Sequence, residues 1–176
     1  FYANSVLSLT LSALFKLASP LQLPCTPEQA NPTKQGALMA MKTVRVGLIG
    51  AGRMGSFHAE NLAYRVPGAI LTAVADPLPG AAETLAKTLG VDKAYSDLHA
   101  LLQDPDVDAV AIAAPARTHA EWVIAAANAG KHVFCEKPMA VTIDEADRAI
   151  AAAKSAGVVL QVGFTRSFDT GFAAAI

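Results

Sequence analysis

The sequence predicts an α/β fold, a doubly wound parallel sheet, and three observations carry that prediction. From residue 44 onward, short apolar runs alternate with stretches of helical length. The apolar runs, such as Val44 to Gly50 and Asp108 to Ala114, lack the in–out alternation of a half-exposed strand and suit strands covered on both faces. Roughly one residue in five is Ala, which favours helices lying close on a flat sheet. Strands and helices alternating at this spacing form βαβ units with right-handed crossovers. Ligands of such sheets bind beyond the carboxyl ends of the strands. The segments after residues 49, 75, 114 and 135 are therefore where chemistry is expected.

The elements follow in order. The first strand spans 44–50 and ends in Gly50. A helix is expected over about 54–64, then a turn at Pro67-Gly68 and a buried strand over 70–75. Residues 81–89 read as a helix stopped by Gly90, and 98–102 as a short helical turn ahead of Asp104-Pro105. A strand over 108–114 comes next. Thr118-x-x-Glu121 has the form of a capping box and opens a helix to about Ala129. His132 to Cys135 is a strand. Thr142-x-x-Glu145 is a second capping box, whose helix runs to Ala156 with Ala146, Ala149, Ile150 and Ala153 on one face. The last strand is expected over 158–162.

Composition bounds the partners. The 176 residues suffice for one domain with a sizeable core and not for two large ones. With 53% apolar and 16% charged residues, the chain as a whole is not disordered. A net charge of −1 leaves no basic surplus for phosphate backbones, so nucleic acid is not an expected partner. Cys25 and Cys135 lie far apart and form no CxxC pair, so neither a disulfide framework nor a metal site is expected, and a reducing, cytoplasmic setting fits. No run of about 18 apolar residues suggests a membrane span. Residues 1–40 read as lying outside the fold, a non-native or disordered extension with a Pro-bearing polar run, and Met39 or Met41 reads as the native start. An export leader is the alternative, although Phe1-Tyr2-Ala3-Asn4 supplies no basic region for one.

Gly50-Ala51-Gly52-Arg53-Met54-Gly55 is G-x-G-x-x-G, directly after an apolar strand and opening a helix. That context makes it a dinucleotide-binding loop of the Rossmann type. Gly50 permits the tight turn, Gly52 lets a pyrophosphate approach the backbone, and Gly55 lets the helix pack on the strand. Asp76 ends the second strand at the position of an acidic ribose ligand, so NAD is favoured over NADP. Asp76-Pro77 can instead simply begin a turn, and Arg53 is able to reach either phosphate group.

Two later loops add polar groups. Pro115 forces the chain out of its strand, and Thr118 puts His119 in the first turn of the next helix. His119 lies either near the nicotinamide half of the cofactor or on the surface at a helix end; Arg117 reads as solvated. Glu136-Lys137-Pro138 ends the next strand, with Lys137-Pro138 a candidate cis bond. A lysine beside a substrate hydroxyl can orient it and assist proton removal, although such a turn is often only an exposed connection.

These four pieces, in this order and spacing, resemble the amino-terminal half of the Gfo/Idh/MocA oxidoreductase family over residues 43–170, with Glu136-Lys137-Pro138 matching the family's signature turn. Gln161 to Asp169 resembles the corresponding run of the inositol 2-dehydrogenases. The resemblance implies an NAD-dependent oxidoreductase acting on a polyol or sugar hydroxyl, myo-inositol foremost, with a homo-oligomeric full-length form. It implies that Gly50, Ala51, Gly52, Arg53, Met54, Gly55, Asp76, Pro115, His119, Glu136 and Lys137 serve the cofactor. Lys137 would be the catalytic residue, touching nicotinamide and substrate, and Arg166 would lie near the same site. Family members continue into a second α/β domain whose aspartate and histidine orient the substrate and take its proton. The expectation is thus a cofactor domain over 41–163, the start of a truncated substrate domain over 164–176, and no turnover by the chain as written, since His58, His99, His119 and His132 all fall in the first part. A non-catalytic nucleotide- or sugar-sensing module is the alternative, and the intact Lys137 favours the enzyme.

Overall fold

In the computed structural model, which describes residues 43–164, six strands form one parallel sheet. They are β1 (Val44–Ile49), β2 (Ala69–Ala75), β3 (Lys93–Tyr95), β4 (Ala109–Ile112), β5 (His132–Cys135) and β6 (Leu160–Val162), in the order β3-β2-β1-β4-β5-β6. The strand order reverses between β1 and β4, which opens a crevice at their carboxyl ends. Five α-helices connect them: α1 (Arg53–Tyr64), α2 (Ala81–Leu89), α3 (Leu98–Gln103), α4 (His119–Asn128) and α5 (Ile143–Ala156). The expected extension over 1–40 lies outside the described residues, as do Cys25, Arg166 and the rest of 165–176.

Alternate residues of the central strands feed two cores, as the run of apolar residues without polar interruption requires. Val46, Leu48, Val74, Ala111 and Phe134 pack with Ala59 and Leu62 of α1 and with Ala82 and Ala86 of α2. Ile49, Ala73, Val110, Ile112, Val133 and Cys135 pack on the other face with Leu98 and Leu101 of α3, Val123 and Ala126 of α4, and Ala149 of α5. Among the described residues no helix is long and apolar enough to cross a membrane.

Several elements differ from expectation. β3 was not anticipated; it is three residues long and pairs only with β2. β4 is shorter than 108–114 at both ends: it starts at Ala109, with the Asp108 carboxylate turned onto the Arg45 N–H (3.0 Å), and stops at Ile112. β6 begins at Leu160 because Val158 N–H closes α5 on the Ala153 carbonyl and Val159 N–H donates to His132 Nδ1. Thr118 does not cap α4. Residues 116–118 form a 3₁₀ turn, and the Thr118 hydroxyl is spent on the Pro115 carbonyl at 2.8 Å. The box at Thr142 is real: its hydroxyl accepts from Glu145 N–H and the Glu145 carboxylate accepts from Thr142 N–H. Ile150, expected on the buried face of α5, is exposed, and Ala149 and Ala153 alone are fully buried there.

The amino ends of the strands are fastened by charge. Arg45 reaches Asp108 and Asp106, while Lys93 reaches Asp104 and Asp106. Asp104 is buried and also accepts from the Tyr95 hydroxyl. Lys131 Nζ donates to the Asp104 and Val107 carbonyls, and burial pulls its pKa down.

Candidate functional site

β1 ends at Ile49 and the chain turns at Gly50, whose φ is +99°. A Cβ there would stand 2.7 Å from the Ala113 carbonyl oxygen, so backbone and space both demand glycine. A Cβ on Gly55 would collide with the Gly50 carbonyl oxygen, which is the close approach of α1 to β1 that the motif anticipates. Gly52 is different. A Cβ there would meet nothing, and its φ of −71° suits any residue, so nothing within the chain calls for glycine. The open space in front of it is a cradle for an approaching group. Gly52 is also the N-cap of α1, with no side-chain cap and no acidic residue in the first turn. The first N–H groups of α1, at its positive dipole end, thus remain available to phosphate oxygens. Arg53 and Met54 are exposed beside them, and Ala51 is half-buried.

Asp76, just past β2, lies against this loop. Its Oδ2 accepts the Ala51 N–H at 2.7 Å and its Oδ1 accepts the Leu78 N–H at 2.8 Å. The carboxylate therefore both starts the turn at Pro77 and holds the glycine loop. An ionised carboxylate has about four acceptor positions, so two remain for a further donor. Gly50 and Asp76 border a cleft of about 460 Å³ that is also lined by Asp97, Leu98, Ala114, Pro115, Arg117 and Trp122.

His119 is buried, which excludes the surface position left open by its place at a helix end. Its Nε2 lies 2.7 Å from the Ala114 carbonyl and its Nδ1 2.7 Å from the Pro138 carbonyl. The ring bridges the loops after β4 and β5 and is not among the residues that border the cleft.

Glu136 and Lys137 part company at the end of β5. Lys137 is exposed and Lys137-Pro138 is cis. Glu136 turns inward and is buried, instead of standing beside Lys137 on an exposed connection. Its Oε1 accepts from His58 Nε2 at 2.8 Å and its Oε2 from the Lys137 N–H at 3.1 Å. Burial pushes the carboxyl up, but the hydrogen bonds from His58 and Lys137 outweigh it and hold the group below its ordinary value. Cys135 beneath it is pushed up to about 12, by burial first and then by the charge of Glu136.

Sequence reasoning missed three participants and misplaced a fourth. His58 falls on the Gly55–Ala59–Leu62 stripe of α1, and that placement on an apolar face was the available signal. Asp97 caps α3 through His99 N–H, and the Trp122 ring lies tilted against His99 at 5.2 Å between centroids. Arg117, read as solvated, borders the cleft.

A family model described as an oxidoreductase family with an NAD-binding Rossmann fold matches residues 44–164. The chain belongs to the Gfo/Idh/MocA family. It carries that family's NAD-binding domain, and the glycine cradle, the bare N-terminus of α1 and the Asp76 carboxylate fit the dinucleotide. The chain is 46% identical over 130 residues to the scyllo-inositol 2-dehydrogenase (NAD(+)) of Bacillus subtilis, covering 74% of this chain and 38% of that relative. It is 47% identical over 129 residues to the myo-inositol 2-dehydrogenase of Thermotoga maritima, covering 73% and 38%. Among solved structures, the scyllo-inositol dehydrogenase of Lactobacillus casei with bound NAD(H) and scyllo-inositol superposes with a TM-score of 0.71 at 36% identity, covering 76% of this chain and 40% of that one. The myo-inositol dehydrogenase of Lactobacillus casei in complex with NAD(H) and myo-inositol gives a TM-score of 0.71 at 37% identity, covering 75% and 40%. The chain thus spans about two fifths of the length of the relatives it matches.

Proposed function

We propose that this chain is the cofactor-binding part of an NAD-dependent dehydrogenase acting on a polyol or sugar hydroxyl, with an inositol as the substrate. The observation that carries the reading is the meeting, at one rim of the sheet, of the glycine cradle, the Asp76 carboxylate and the exposed Lys137 turn. The identity to two inositol dehydrogenases, 46% and 47%, supports the substrate class.

In this reading Gly50 to Gly55 and the start of α1 hold the pyrophosphate, and Asp76 takes ribose hydroxyls. Pro115 and the turn at Glu136-Lys137 line the nicotinamide end, and His119 supports that end by tying the two loops together. NAD, when bound, supplies the two-electron redox chemistry. Lys137, exposed on a fixed turn, donates a hydrogen bond to the substrate hydroxyl and keeps its oxygen oriented while a base takes the proton. Arg166 is assigned to the substrate by its place in the motif. The division follows the same lines: 41–163 for the cofactor, and 164–176 at the opening of a substrate domain that supplies the base. The enzyme would work as a homo-oligomer in the cytoplasm, where a free Cys135 thiol is stable.

The test is NADH formation with myo-inositol, scyllo-inositol and a panel of sugars, on the 176-residue chain and on any longer product of its reading frame. Turnover of an inositol by the longer form, lost in Lys137→Ala, is the expected result. NAD binding without turnover of any polyol by that form would sink the dehydrogenase reading.

A further inference from the structure

His58 has no part in the roles assigned above, and the buried pair it makes with Glu136 has a geometry unusual for a filler of the core. His58 is 1% exposed and Glu136 8% exposed. The ring is enclosed by Phe134, edge-on at 5.4 Å, and by Phe57 at 6.0 Å. Gly163 stands close by: a Cβ there would meet Phe134 at 3.0 Å and Glu136 Oε1 at 3.6 Å. An aliphatic side chain would fill this space at lower cost, because a buried carboxylate and imidazole must both be desolvated. The pair is also incompletely satisfied. His58 Nδ1 has no hydrogen-bond partner, so a proton there would have no acceptor, and the ring is used solely as a donor from Nε2.

What the pair does connect is specific. His58 belongs to α1, the helix whose first turn forms the glycine cradle. Glu136 spends one oxygen on His58 and the other on the backbone N–H of Lys137. A two-bond strut therefore runs from the phosphate-binding helix, through a carboxylate, to the backbone of the lysine turn. The rest of that turn is tied from the other side, where His119 reaches the Pro138 carbonyl.

We propose that His58 and Glu136 are positioning residues that fix the Lys137 turn relative to α1, and so set the place of Lys137 at the nicotinamide end of the bound cofactor. Glu136 then serves the cofactor through the backbone of Lys137 and not by touching it. The proposal rests on the reading of Lys137 as the nicotinamide-side residue. It separates the two halves of the dinucleotide: the adenosine and pyrophosphate end depends on Gly50 to Gly55 and Asp76, and the nicotinamide end on the strut.

Calorimetric titration of the 176-residue chain with NAD and with ADP-ribose, which lacks the nicotinamide, tests this. In Glu136→Gln, one acceptor of the carboxylate becomes a donor without loss of volume: either one of the two bonds breaks, or the amide donates to His58 Nε2 and drives the ring proton onto Nδ1, which has no acceptor, so the strut is weakened in both cases. The expected result is about a tenfold loss of NAD affinity with ADP-ribose changed by less than about twofold. His58→Leu should behave alike, whereas His58→Gln, whose amide N–H replaces Nε2–H, should restore NAD binding to within about threefold of the parent. Lys137→Ala is the control for the underlying reading: an unchanged ratio of NAD to ADP-ribose affinity there overturns the assignment of Lys137 and the strut with it. A shifted ratio in Lys137→Ala with unshifted ones in both Glu136→Gln and His58→Leu overturns the strut alone. Equal losses for both ligands in Glu136→Gln, or its failure to fold, would make the pair a general folding bond and overturn the proposal. Should only His58→Leu fail to fold, Glu136→Gln and the rescue by His58→Gln decide.

Discussion

The Asp76 carboxylate accepts the backbone N–H of Ala51 at 2.7 Å, so the residue that follows β2 holds the loop that follows β1. One side chain thereby shapes the glycine loop and, in the proposed reading, offers its remaining lone pairs to a ribose. Its negative charge also opposes a phosphate on the ribose 2′ oxygen.

Asp76→Ala should therefore weaken NAD binding and shrink the preference for NAD over NADP. A hydrogen bond to a charged acceptor contributes roughly 1.5–3 kcal/mol, or about 10- to 150-fold in affinity. Calorimetry with both cofactors measures it. Equal affinities of the unaltered chain for NAD and NADP would remove the premise.

Gly52 and Gly55 should respond to alanine in opposite ways. Gly52→Ala places a methyl where the chain has nothing, so the thermal midpoint should hold while NAD affinity collapses. Gly55→Ala drives a methyl into the Gly50 carbonyl and should destabilise the fold by about 1–3 kcal/mol or more. Thermal melts paired with NAD titrations separate the two; a cofactor-competent Gly52→Ala variant would show that the cradle is not where the phosphates sit.

Acid should unfasten the rim that carries the strand starts. Burial pushes the Asp104 carboxyl up, but Lys93, the Asp106 N–H and the Tyr95 hydroxyl hold it below its ordinary value. A group depressed in the fold binds fewer protons there than in the unfolded chain, so its stabilisation is present above the unfolded pKa of about 4 and fades as pH falls through the folded value. The thermal midpoint should drop as pH is lowered below about 4, and Asp104→Asn should flatten that drop while lowering the midpoint at neutral pH. A variant whose pH profile parallels the parent's would contradict this account.

Cys135 should be silent in the native protein. With its pKa pushed up to about 12 and its side chain buried, almost no thiolate exists near neutral pH to attack an alkylating reagent. Iodoacetamide treatment with peptide mapping should leave the Cys135 peptide unmodified until denaturant is added. Rapid native labelling would mean that the end of β5 opens far more often than its packing suggests.

The sheet is largely legible because β1, β2, β4 and β5 are covered on both faces, and such strands must be written as unbroken apolar runs. β3 carries no such mark: it is three residues long, and Lys93 and Tyr95 turn polar groups to the Asp104 cluster even as Ala94 and the Tyr95 ring pack against the two cores. Thr118 and Thr142 show where local pattern ends. Both stand three residues before a glutamate, yet Pro115 starts a 3₁₀ turn that takes the first hydroxyl, while the second finds an ordinary helix start. In the site, Gly50, Gly55 and Asp76 are readable because each meets a backbone demand within a short span. His58 and Glu136 are 78 residues apart, and their meeting exists only once α1 lies on the sheet beside β5.

The fastening at the start of the strands has a consequence for how such a chain tolerates change. Arg45, Lys93, Asp104, Asp106 and Asp108 bind together the loops at the rim opposite the glycine loop. At the carboxyl ends the ties are few and local: Asp76 joins the loops after β1 and β2, His119 those after β4 and β5, and Glu136 links the β5 turn to α1. Substitutions that redraw cofactor or substrate preference on the one rim therefore need not be compensated on the other. A frame built in this way can exchange its chemistry loop by loop while the clasp behind it stays shut.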